Sequence, residues 1–157
     1  MRKAYFVLCV LLFAAIGVQF YLAGVAVFTK PQTDGTFDAH KMNGMMIIPT
    51  LALLATIAAA VARMPRKLIG TTLLVALLVP VQVLINTIGG RDDATSSKLG
   101  EAVMGFHVIN GLIIMLVARA ALNGAREMLK ARSDGRAEAA ADGPAAADPQ
   151  SAAGTAC

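Results

Sequence analysis

Tyr5 to Thr29 carries no charged side chain, and neither do Met42 to Ala62, Leu68 to Gly90 or, apart from His107, Ala102 to Ala118. Four such runs in 157 residues leave few folds open. A hydrocarbon layer about 30 Å thick is crossed by about 20 residues of helix. Inside it the backbone must bond to itself. Each run therefore predicts a transmembrane helix. The fourth is the shortest, and it reaches the needed length through Ala120–Leu122 if Arg119 extends its guanidinium to the headgroups. The expected fold is an all-α membrane protein with an up-down-up-down bundle in residues 1–125, its helices at about 4–28, 38–63, 68–89 and 98–122. Only 15% of the residues are charged, against roughly a quarter in soluble domains. The opening "MRK" resembles the start of a secretory leader. The apolar run after it is about twice the length of a leader's core and ends in no small-residue cleavage site, so it is read as a helix.

The net charge of +4 does not point to nucleic acid, because the 14 basic residues sort by loop. Arg2, Lys3, Arg63, Arg66, Lys67, Arg119, Arg126, Lys130, Arg132 and Arg136 fall at one end of the predicted helices. Lys30, Lys41, Arg91 and Lys98 fall at the other, among Asp34, Asp38, Asp92, Asp93 and Glu101. The positive-inside rule then puts both termini in the cytoplasm. The expected partners are the lipid bilayer and a membrane protein or second copy of the chain. Cys9 within helix 1 and Cys157 at the last position are not placed to bridge, and read as a small apolar filler and an incidental tail residue.

Punctuation marks the connections. Pro31 and Gly35 break the first outer loop, and Thr36 or Asp34 is positioned to cap helix 2. Pro49 falls inside helix 2, where it predicts a kink or the loss of one backbone bond. The turn "RMPRK" makes helices 2 and 3 antiparallel neighbours. Gly89–Gly90 ends helix 3, and Ser96 or Ser97 is a candidate cap for helix 4. Residues 126–132 read as a basic amphipathic extension along the inner surface. Residues 133–157, rich in Ala, Gly, Asp and Pro, read as a disordered cytoplasmic tail.

The two histidines of the chain occupy one frame, "HKMNG" at His40–Gly44 and "HVING" at His107–Gly111. Each is preceded by a glutamine on the previous helix, Gln19 in "VQFYLAG" and Gln82 in "VQVLINT". The order glutamine, outer loop, H-x-x-N-G thus occurs twice, which reads as an internal repeat of two parallel hairpins. Positions i, i+3 and i+4 share a helix face, so His40, Asn43 and Gly44 line one stripe of helix 2, and His107, Asn110 and Gly111 the same stripe of helix 4. With Gln19, Gln82 and Asn86 they form a predicted polar layer in the outer half of the membrane. The Gln and Asn side chains alone read as helix–helix glue.

The histidines add a functional expectation, since an ionisable residue inside a membrane calls for one. Helices 2 and 4 lie on a diagonal of roughly 11–14 Å, which two histidines can span with a metal between them. Glycine one turn below each histidine would leave room for a flat macrocycle, and Lys41, Arg91 and Lys98 could pair with its carboxylates. The expected cofactor is haem b, with His40 and His107 as axial metal ligands, for electron transfer or haem handling. A bare zinc or copper ion fits less well, because two histidines leave positions unfilled. Met42, Met45, Met46 and Met104 read as packing. A proton or small-molecule path through the two imidazoles is a third reading. A non-enzymatic membrane subunit or scaffold with a structural polar layer is the alternative to all of these. No serine–histidine–acid arrangement lies at depth, and nothing points to a catalytic residue.

"QFYLAGVAVF…FDAHKMNG" with "HVINGLIIMLVAR" resembles a family of small bacterial four-helix membrane proteins known only as a domain of unknown function. The resemblance runs from about Arg2 to Leu122 and is carried by Gln19, Leu22–Gly24, His40, Gly44, His107 and Asn110–Gly111. It implies a multi-pass protein of the bacterial inner membrane and no particular activity. Val108 stands where relatives place a proline after the second histidine. A looser similarity, to four-helix b-type membrane cytochromes, implies haem held between histidines of separate helices. Those proteins often carry more histidines than the two present here.

Overall fold

A computed structural model describes residues 1–89 and 98–141, with side chains as far as residue 136. It contains α1 (Arg2–Phe28), α2 (Asp38–Val61), α3 (Arg66–Gly89) and α4 (Lys98–Ala141), and no strand among the described residues. All four are long and apolar enough to cross a membrane. Their outward faces are apolar too. Val7, Leu53, Leu77 and Leu116 are each about half exposed or more, as expected where the surrounding solvent is lipid. The chain is a multi-pass membrane protein.

The inward faces follow one spacing. One row of buried positions runs through Tyr5, Cys9, Leu12 and Ile16 on α1 and Ile48, Ala52, Ala55 and Ala59 on α2. On α3 they are Leu68, Thr72, Val75 and Val79, and on α4 Ile114, Ala118, Ala121 and Ala125. Each set steps by four, three and four residues, the alternation that keeps a seam facing its neighbours at a shallow crossing angle. On α2 and α4 the seam is mostly alanine, which lets backbones approach where no hydrophobic effect drives helices together. α1 packs on α2 and α4, and α3 packs on α2 and α4. The starts of α1 and α3 share a cluster with later parts of α2 and α4, Ala55, Ala59, Ala121, Leu122 and Ala125, so neighbours run antiparallel. In that cluster the Tyr5 hydroxyl donates to Thr72 Oγ1 at 2.8 Å, joining α1 to α3, while Thr72 donates to the Leu68 carbonyl.

Pro49 has its effect one turn earlier than its own position. Asn43–Ile47 forms a π turn inside α2. Proline lacks an N–H and crowds the carbonyl four residues before it, and bonding to the fifth residue relieves this with one extra residue in the turn. That extra residue has a counterpart in the numbering. His40, Asn43 and Gly44 precede His107, Asn110 and Gly111 by 67 positions (40 to 107), whereas the α2 seam precedes the α4 seam by 66 (48 to 114). α2 therefore holds one more residue than α4 between motif and seam, and the π turn takes it up.

Three local expectations are corrected. Helix 2 begins after Phe37 with no side-chain cap. Thr36 Oγ1 instead accepts from the Thr33 N–H, which turns the loop on itself. The proposed extension at 126–132 continues α4 without a break, and Met128 packs on the inner cluster. Helix also persists to Ala141, past Ser133 where composition suggested order would end. Extending a formed helix adds one bond per residue and needs no burial, and Ala, Glu and Arg are good helix formers. The loop at 91–97 with its cap candidates, and the tail from 142 on, lie outside the described residues.

The α2–α3 turn closes on a residue in the left-handed region. Arg63 has φ 51°, its N–H bonds to the Ala60 carbonyl, and the Met64 N–H reaches back to Ala59, both at 3.0 Å. This is the two-bond helix stop that glycine usually completes. Arg63→Gly should stabilise the protein by about 1 kcal/mol, read as a rise in thermal midpoint in detergent. Deleting the exposed Met46 should convert the π turn to α-helix and cost no more than about 3 kcal/mol, the clash of Pro49 in an unbroken helix. Deleting the equally exposed Leu53 shifts Ala55 and Ala59 off the seam and should cost more than about 4 kcal/mol. Circular dichroism melts of the two variants check the contrast.

Candidate functional site

The seam of α1 continues from Ile16 to Gln19, and that of α3 from Val79 to Gln82, each three residues on. A carboxamide so placed points inward in a region where lipid offers no partner. Gln19 turns to α2. Its Nε2 donates to the His40 carbonyl at 3.1 Å, and its Oε1 accepts from Asn43 Nδ2 at 2.8 Å. Asn43 Nδ2 also donates to the Ala15 carbonyl at 2.9 Å. The second hairpin repeats the pattern. Gln82 Nε2 donates to the His107 carbonyl at 2.7 Å, and Asn110 Nδ2 donates to Gln82 Oε1 at 2.6 Å and to the Leu78 carbonyl at 3.1 Å. Ala15 and Leu78 each lie one turn before their glutamine. Both asparagines are buried.

The histidines differ in how they are held. His40 Nδ1 lies 3.2 Å from the Gln19 backbone oxygen. A carbonyl only accepts, so Nδ1 carries the proton and Nε2 keeps its lone pair. That lone pair accepts from Gln19 Nε2 at 3.2 Å. Phe37 packs edge-on against the ring at 6.3 Å between centroids. His107 has no such partner. Its Nδ1 is buried and makes no hydrogen bond among the described residues.

The two imidazoles, one from each hairpin, come close to each other. Their ring centroids are 6.3 Å apart and their planes are tilted by 43°. Both line one cavity of about 150 Å³, together with Gln19, Gln82, Gly44 and Gly111. Its floor is apolar, formed by Ile16, Ile48, Val79 and Ile114, and one side is formed by Phe20 of α1 and Val108 of α4. Those two side chains are also exposed, at 37% and 57%, so this side leads to the lipid-facing surface.

The two glycines have different neighbours. A Cβ on Gly44 would lie 2.6 Å from Gln19 Nε2, so this glycine makes room for the clamping carboxamide. A Cβ on Gly111 would meet only Phe20 and Gln82 at 3.5 Å or more. Asn86 lies one turn beyond Gln82 and is exposed, so it stands apart from the layer of Gln19, Asn43, Gln82 and Asn110. Met42, Met45 and Met46 are exposed. No group of three or more His, Cys, Asp or Glu is placed to hold a metal among the described residues. Phe20, Phe37 and Val108 are additions that polarity could not flag. Their signal is adjacency, since Phe20 and Val108 directly follow Gln19 and His107, and Phe37 lies three residues before His40.

This geometry can be set beside known proteins. Residues 19–88 match the family of unknown function DUF6220. The DUF6220 match opens on the first clamping glutamine and takes in His40, Asn43, Gly44 and Gln82, but ends before His107. It is shorter than the span over which the sequence resembles a small membrane family. No curated protein and no solved structure matches the chain.

Gly44→Ala displaces a carboxamide held by three hydrogen bonds and should destabilise the protein by about 1–3 kcal/mol. Gly111→Ala should stay within about 0.5 kcal/mol. Thermal unfolding of the two variants in the same detergent checks the difference.

Proposed function

We propose that this membrane protein holds a b-type haem between His40 and His107, for electron transfer or haem handling. The observation that carries the reading is the 6.3 Å between imidazole centroids. A ring centroid lies about 1.1 Å behind its ligating nitrogen, and each metal–nitrogen bond is about 2 Å, so two imidazoles sharing one metal are expected about 6.2 Å apart. The Nδ1–H bond from His40 to a backbone carbonyl supports the same reading. It fixes the tautomer that leaves the Nε2 lone pair unprotonated, the usual support for a metal-binding histidine. Ligation by His40 requires Gln19 to give up its contact with Nε2, and its bond to the His40 carbonyl can persist. The cavity is smaller than a porphyrin. The macrocycle would extend through the side formed by Phe20 and Val108, which must swing outward. Lys41, next to His40 in the first turns of α2, and Lys98, at the start of α4, are the cations proposed to pair with its carboxylates. When bound, the group supplies a one-electron couple within an apolar wall.

The identical clamps support a duplication of one hairpin, with the π turn as the trace of a single-residue difference between the halves. The charge distribution supports cytoplasmic termini and a place in the bacterial inner membrane. A second reading, a membrane subunit whose polar layer is purely structural, is favoured by one observation: Gln19, His40 and Asn43 satisfy one another without a ligand.

Purified in detergent and supplied with haem, the full chain should show a Soret band that shifts on reduction. The double variant His40→Ala/His107→Ala should not. A folded wild-type protein that stays colourless with excess haem overturns the haem reading and leaves the structural one.

A further inference from the structure

The glutamine of each hairpin carries two amide hydrogens, and the two halves use them differently. Gln19 Nε2 donates one to the His40 carbonyl and the other to His40 Nε2. Gln82 Nε2 donates one to the His107 carbonyl, and no acceptor among the described residues takes the second. The His107 ring likewise makes no hydrogen bond among the described residues, and its Nδ1 is buried. Both side chains line the cavity of about 150 Å³. We infer that this cavity binds a small neutral molecule taken from the surrounding lipid, a single apolar ring bearing one hydroxyl, held by hydrogen bonds to Gln82 and His107. Gln19 keeps its place beside Gly44, and no haem is needed.

Size and chemistry narrow the ligand. A cavity of this size walled by aliphatic and aromatic side chains holds one benzene ring, and here Ile16, Ile48, Val79 and Ile114 form the floor. The room lies in the second half. A Cβ on Gly111 would meet Phe20 and Gln82 no closer than 3.5 Å, whereas one on Gly44 would strike the Gln19 carboxamide. A ring set against Gly111 lies beside the edge of Phe20, whose Cζ and Cε1 are the nearest ring atoms, and aromatic pairs favour edge contacts. A hydroxyl suits both open partners. Its oxygen accepts from Gln82 Nε2, and it can accept from or donate to an imidazole nitrogen, whichever tautomer His107 takes. A carbonyl would serve only a protonated nitrogen. The lining holds no Asp, Glu, Lys or Arg to balance a charged group, which burial would penalise. Entry is from the side, where Phe20 and Val108 border both the cavity and the lipid-facing surface.

Phenol and toluene, close in size and differing in the hydroxyl, are the probes, titrated into the full chain in detergent with no haem added. Heteronuclear NMR of nitrogen-labelled histidines reads the polar contact, and the isoleucine methyl signals of the floor report both probes. Phenol should shift the His107 ring nitrogens saturably, and more than those of His40. It should bind wild type at least about tenfold more tightly than toluene, the effect of the two added hydrogen bonds. His107→Leu, which also assigns the two rings, should cut that preference to about threefold or less. Gly111→Leu fills the space and should lower phenol affinity by about tenfold or more. Circular dichroism melts show whether each variant is folded, and the comparison of phenol with toluene on wild type needs neither. Phenol that shifts neither ring, shifts His40 alone, or binds no more tightly than toluene overturns the inference. A chain that takes up haem but no phenol overturns this inference alone, and one that binds phenol but no haem overturns the haem reading alone.

Discussion

Hydrocarbon offers no hydrogen bonds, and the half of this bundle around the two histidines is arranged around that constraint. Two glutamines and two asparagines lie at depths where an unpaired carboxamide costs several kcal/mol. Each finds its partners on the adjacent helix of its own hairpin. The glutamine bonds the histidine carbonyl, and the asparagine bonds a carbonyl one turn before the glutamine. The clamp thus joins side chain to backbone in both directions. Side-chain bonds between membrane helices average only about 0.6 kcal/mol. Their importance here is register: sliding α1 against α2 by one residue would break the bonds of both Gln19 and Asn43 at once.

Because these clamps act within hairpins, something else must join the two hairpins. At the inner end this is the Tyr5–Thr72 bond across the diagonal, together with the alanines of α2 and α4, which allow tight approach. At the outer end the described residues show a cavity with a histidine from each hairpin facing across it. The bundle is closed where its residues are small or bonded across the diagonal, and open where its only two imidazoles meet. That distribution is hard to derive from packing alone. Filling the space would have taken one larger residue at Gly111, where a Cβ meets nothing closer than 3.5 Å.

Much of this could be read from residue order. The charge-free runs set the number of helices and, within a few residues, their ends. The repeated H-x-x-N-G frame paired the histidines, and periodicity put Asn43 and Asn110 on the same inward stripe. Three things were not legible, each for a physical reason. The π turn shows only when two offsets are compared, 67 for the motif and 66 for the seam, and the seam positions are visible only once burial is known. The role of Gly44 depends on a side chain from another helix: the backbone spacing suggested a place for a macrocycle, but the Gln19 carboxamide occupies it. Asn86 is polar and near Gln82 in sequence, yet exposure separates them, and composition carries no information about which way a helix end faces. The helix from Ser133 to Ala141 carries no burial signal in its composition, because a helix already formed extends at little cost without burial.

The difference between the two halves bears on what the site is for. If the polar layer existed only to hold helices together, the Gln–Asn bonds would suffice, and the second histidine would be a buried nitrogen that costs stability and contributes no bond. Replacing it with an apolar residue would then be an improvement. Its position beside a well-held histidine, with 6.3 Å between ring centroids, is the feature that gluing helices together leaves unexplained.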